Sequence, residues 1–115
     1  MSEKHFELSD AEFERQFTAC ELDSAIFSHE AHLRLAWIYI FRDGREGAER
    51  KIQEQLKNFV ASVGASDKYH TTLTVAAVRM VSHFMRQSKA DNFRDFIGSF
   101  PALKSDFKGL IARHY

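Results

Sequence analysis

Imidazole is the side chain best suited to proton transfer or metal binding near neutral pH, and this chain carries six histidines. Two of them, His29 and His32, stand in the run Phe27-Ser28-His29-Glu30-Ala31-His32-Leu33-Arg34-Leu35-Ala36-Trp37, and a third, His70, stands in Lys68-Tyr69-His70-Thr71-Thr72-Leu73-Thr74. Residues three apart share a helix face, so His29 and His32 can address one centre together. All three fall at expected helix beginnings, where the helix dipole disfavours imidazolium and leaves a neutral ring with a lone pair. Such a ring can ligate a metal or accept a proton.

These residues define the candidate roles. His32 and His70 are the candidate general acid or base, while His29, Tyr69 and Thr74 are candidate ligand-binding groups, the threonine lying one helical turn beyond His70. Together His29, His32 and His70 form the candidate set for a divalent metal, the less favoured use. The H-x-x-H spacing lacks the internal glutamate that makes H-E-x-x-H specific. A thiolate zinc site is excluded by the single cysteine, Cys20. The same rings also read as local structure, with His29 and His70 capping and His32 filling a polar niche. Arg34 and Arg79 read as snorkelling surface residues and Trp37 and Tyr39 as core. His83 is expected to face water, and His5 and His114, near the ends, are weak candidates.

The elements that must position these groups are helical. With one proline and five glycines in 115 residues, the chain is poor in turn formers and suits an all-α fold. The expected architecture is a single domain over 1–115, a compact bundle of about five to six helices with the second central and buried. Ser9-Asp10 opens a first helix whose apolar stripe includes Phe13 and Phe17 and which ends near Leu22. Ser28 caps the second. Its stretch Ala36-Trp37-Ile38-Tyr39-Ile40-Phe41 is apolar on every side, as a buried helix must be, and Asp43-Gly44 ends it. A third, amphipathic helix covers about 46–63, and a fourth, about 71–87, turns Leu73, Ala77, Met80, Val81, Phe84 and Met85 inward. A short helix from Asp91 to about Ile97 and a last one over about 102–113 follow, separated at Phe100-Pro101.

Topology decides whether the histidines can meet. An up-down-up order makes the second and fourth helices parallel and brings their N-terminal ends together. An antiparallel order would leave His70 roughly 20 Å away at 1.5 Å per residue.

Net charge is zero, which argues against a nucleic-acid partner. Residues 1–67 carry 8 basic and 13 acidic side chains and residues 68–115 carry 8 and 3, so the halves stand at −5 and +5. Oppositely charged helices facing one another is the simplest consequence. The start of the chain does not read as a signal peptide, no stretch is apolar enough to span a membrane, and the lone cysteine points to the cytoplasm.

The two histidine runs together resemble a family of small, uncharacterised bacterial all-helical proteins with the patterns F-x-H-x-x-H-L-x-x-A-W and K-Y-H-x-T-x-T. The resemblance covers roughly residues 13–113. It implies a helical fold and the place of a site, and no activity. Members often have Glu after the second motif's histidine, where this chain has Thr71. Two functions compete: a small-ligand pocket lined by His29, His32 and His70, open to catalysis, and a homodimeric interaction module with structural histidines, built on its Phe-rich C-terminal helices. A pocket holding the rings favours the first, and an exposed phenylalanine patch favours the second.

Overall fold

Side-chain caps set the helix starts. In the computed structural model, which describes residues 4–64 and 71–114 (for residue 114 the backbone only), Ser9 accepts a hydrogen bond from the Glu12 N–H at 3.1 Å and opens α1, Asp10–Thr18. Ser28 accepts from the Ala31 N–H at 3.1 Å and opens α2, His29–Ser62. α3 spans Thr71–Met85. Asn92, accepting from the Asp95 N–H at 2.9 Å, opens α4, Phe93–Ser99. α5, Ala102–Ser105, and α6, Phe107–His114, complete the chain, and a 3₁₀ turn, Lys4–Glu7, precedes α1. No strand occurs among the described residues.

α2 cannot be straight. Its 34 residues would run about 51 Å as one rod, whereas the longest extent of the molecule is 34 Å. The helix folds back at Gly44, whose φ of 78° and ψ of 172° lie where only glycine is comfortable. The arms before and after it lie antiparallel. Phe59, late in the second arm, meets Phe27 just before the first, at 5.2 Å between ring centroids, and Lys51 lies 5.0 Å over the Tyr39 ring.

The first arm is the centre of the core. Every residue from Leu33 to Tyr39 is buried, with α1 (Phe13, Phe17), the second arm (Ile52, Leu56, Phe59) and α3 (Ala77, Val78, Val81) packed around it. The C-terminal helices close the core with Phe93, Phe96, Leu103 and Leu110. The second helix is therefore central, as its all-round apolar sequence requires.

Several local expectations are corrected. α1 stops at Thr18 because Cys20 adopts φ 59°. The Cys20 and Glu21 N–H groups then bond the Phe17 and Gln16 carbonyls, a Schellman ending. The expected second and third helices are the two arms of α2, and the expected last helix breaks at Asp106 into α5 and α6. Phe41 is 67% exposed, stacked on Trp37 as its arm leaves the core for the Gly44 bend, and Leu73 is 46% exposed. Arg34 does not snorkel. Only 5% exposed, it donates to the carbonyls of His5 (2.5 Å) and Leu8 (2.8 Å) and to Asp10 Oδ1 (2.8 Å), with its guanidinium 4.9 Å from the Phe13 ring centroid. It thereby fastens the 3₁₀ turn to α2 and buries His5 completely.

Gly44→Ala is expected to lose about 1–3 kcal/mol of stability through backbone strain. Gly98→Ala, in α4 with open space around the new methyl, should gain up to about 1 kcal/mol. Urea unfolding of the two variants checks the contrast.

Candidate functional site

Because α2 doubles back, its first turn lies against its own last turns. His29 and His32 face Leu56 and Val60 of the second arm, Leu73, Thr74 and Ala77 of α3, and the segment Lys104 to Lys108 across a cavity of about 640 Å³. The beginnings of α2 and α3 thus open on the same space. Of the residues expected at a site, His29, His32 and Thr74 line this cavity. Tyr69 and His70 lie outside the described residues. Leu73, expected in the core, stands at the cavity wall, which accounts for its exposure.

The two rings differ in environment. His29 Nε2 lies 3.1 Å from the Leu103 carbonyl. A carbonyl only accepts, so Nε2 carries the proton and donates. The ring edge packs on Phe107 at 4.9 Å. His32 tilts against Phe27 at 5.9 Å, and its Nε2 is enclosed with no hydrogen-bond partner among the described residues. Burial, then the proximity of His29, pushes His32 down to about 4. At pH 7 it is a neutral ring with unmet hydrogen-bonding capacity.

Between them Glu30 points to a different set of partners. It is 4% exposed, with Oε1 3.4 Å from His5 Nε2 and Oε2 2.6 Å from Lys104 Nζ. Arg34 Nη1 lies 3.3 Å from His5 Nδ1. A guanidinium only donates, so Nδ1 accepts and the ring proton sits on Nε2, facing Glu30. One buried carboxylate therefore joins the 3₁₀ turn, α2 and α5, and holds Lys104 at the cavity wall.

Lys104, Lys108 and Asp106 were not among the residues expected at the site. Asp106 folds back over α6: a Cβ on Gly109 would meet both of its carboxylate oxygens at 2.5 Å, and Arg113 Nη2 lies 3.5 Å from its Oδ2. Nothing in the sequence marks Glu30 as buried rather than as an ordinary first-turn acid, nor His5 as interior. Lys104 reaches the cavity only through a chain reversal that local pattern does not encode. The charge asymmetry did carry signal, since Glu30–Lys104 and Glu49–Arg79 both pair the acidic half with the basic half. Other pairs, such as Glu14–Arg42 and Asp10–Arg34, stay within the acidic half.

Among the described residues no three His, Cys, Asp or Glu side chains converge as a metal site. His29 and His32 supply two members of the expected trio, and the third lies outside the described residues. No protein family, curated protein or solved structure matches the chain, so function is argued from this geometry.

Glu30→Ala is expected to cost about 3 kcal/mol in urea unfolding, because it strands the buried His5 proton and one face of Lys104; Glu30→Gln, which keeps an acceptor, should cost less. His32 gives a pH signature. With its folded pKa of about 4 below the unfolded value of about 6.5, the unfolded chain binds the extra proton between those values. Stability should be full above about pH 6.5 and fall by about 2–3 kcal/mol as pH drops through that window toward 4. His32→Phe should flatten this slope in unfolding curves recorded from pH 7 to 4.5.

Proposed function

We propose that this chain is a cytoplasmic bacterial small-ligand-binding protein whose ligand occupies the cavity between His29, His32 and Thr74. The observation that carries the reading is His32 Nε2. An enclosed ring nitrogen without a partner costs free energy, and a ligand hydrogen-bonded to it removes that cost. The cavity size supports this, since pockets for small molecules run about 300–1,000 Å³ with apolar walls and a few polar groups. Leu56, Val60, Leu73 and Ala77 supply such walls.

His32 suits orientation better than proton abstraction, because a ring held near 4 is a weak base at pH 7. Proton transfer is accordingly assigned to His70, which precedes α3 in the chain, with Tyr69 and Thr74 as the groups that orient a substrate. A divalent metal shared by His29, His32 and His70 is the alternative use of the same rings. For the homodimeric module, the C-terminal helices offer little face: Phe93 and Phe96 are buried, and Phe100 and Phe107 are packed against the core. Among the described residues, the large apolar side chains left exposed are Phe41 at the α2 bend, Val63 and Leu73, which are scattered rather than a phenylalanine patch.

The test is histidine-ring ¹⁵N NMR of tag-free protein titrated with a millimolar set of aromatic and aliphatic alcohols, amides and acids. Ligands that fit should shift the His32 ring resonances, and Val60→Trp, which fills the cavity, should abolish the shifts. Silence across the set, or shifts that persist in Val60→Trp, overturns the reading.

A further inference from the structure

Most polar groups around the cavity are already engaged. Lys104 is held by Glu30 at 2.6 Å, Ser105 donates to the Pro101 carbonyl at 3.0 Å, and His29 donates to the Leu103 carbonyl. Asp106, the carboxylate among the described lining residues, packs over Gly109 beside Arg113. Lys108 is exposed, so its ammonium is already solvated by water. None of these charges is a fixed and unmet partner for a charge on a ligand. The ring of His32 differs. No hydrogen bond reaches it from the described residues, and its Nε2 is enclosed.

The ring also selects by the number and kind of bonds it offers. Burial keeps His32 neutral at pH 7, so it carries one N–H and one lone pair. A hydroxyl both donates and accepts, and it therefore bonds the ring in either tautomer. A carboxylate answers only the N–H, and an ammonium only the lone pair. Each would also bring a whole charge into a space walled largely by Leu56, Val60, Leu73, Ala77 and Phe107, where an unpaired ion is costly. A primary amide donates and accepts as well, but it brings two N–H bonds and a carbonyl to a single ring and leaves some of them unmet.

We infer that the ligand is an uncharged alcohol, its hydroxyl hydrogen-bonded to the His32 ring and its apolar body along Leu56, Val60 and Leu73. This rests on the small-ligand reading above and narrows it to one class.

The experiment compares 4-phenylbutan-1-ol with 4-phenylbutyrate, 4-phenylbutylamine and butylbenzene on the intact chain at pH 7, by calorimetry and histidine-ring NMR. The alcohol is expected to bind about tenfold tighter than either ion and about threefold tighter than the hydrocarbon, and to shift the His32 ring. Raising salt should leave its affinity unchanged, because no charge pair is involved. His32→Phe, with unfolding curves confirming an intact fold, should erase the alcohol's advantage over butylbenzene. Equal or tighter binding of the acid or the amine overturns the alcohol assignment and leaves the pocket standing. Parity with butylbenzene, or an advantage that survives His32→Phe, does the same. If none of these compounds binds, the assignment fails; the pocket reading fails with it only when the broader set of small molecules is silent too. Alcohol binding that survives Val60→Trp places the ligand outside the cavity and overturns both.

Discussion

The reversal of α2 at Gly44 is the constraint on which the rest depends. A helix is a rigid spacer, and two residues far apart along one straight helix never face one another. With one glycine in a conformation that side chains avoid, the same helix becomes a hairpin whose ends coincide. That single backbone choice sets His29 and His32 opposite Leu56 and Val60. It also leaves a flank along which α3 lies in the direction of the first arm, its own beginning at the same end. The cavity lies where the two ends of α2, the beginning of α3 and the segment Lys104 to Lys108 gather.

Around that end, the polar groups on neighbouring positions of one helical turn have opposite fates. Glu30 is buried but answered on both sides, by an imidazole and an ammonium. His32 is half-buried, and its enclosed Nε2 is unanswered among the described residues. An answered carboxylate is a joint, and it fixes the relation of chain segments distant in sequence. An unanswered neutral ring holds no segments together. That difference, rather than the histidine spacing alone, separates framework from candidate site, and it also explains why His5, though completely buried, belongs to the framework.

Much of the fold was legible because helix starts and apolar faces are local properties. Ser9 and Ser28 cap as their positions imply, and the apolar run from Leu33 to Tyr39 is interior. Among the described residues six α-helices are found where five to six were expected, but for offsetting reasons: Gly44 bends a helix that it was expected to end, and Asp106 breaks one expected to continue. The departures share a cause. Arg34, His5 and Lys104 acquire their places from partners 24 or more positions away, and no short-range pattern carries that information. For the site, the i,i+3 spacing and the up-down-up order placed His29, His32 and Thr74 around one space. The lysines stayed invisible because the pairing of Glu30 with α5 is tertiary.

The ties from the first turn of α2 to α5 also bear on how the molecule assembles during synthesis. His29 reaches a carbonyl 74 positions further along, and Glu30 reaches an ammonium at the same separation. While the ribosome is still making α3, the amino-terminal turn can already dock through Arg34, yet Glu30 has only half its complement and one side of the hollow is missing. Closing so long a loop carries a chain-entropy penalty that shorter helical contacts avoid. The cavity is therefore among the last parts to be completed, and a nascent chain holds Glu30 without its ammonium partner until the final helices emerge.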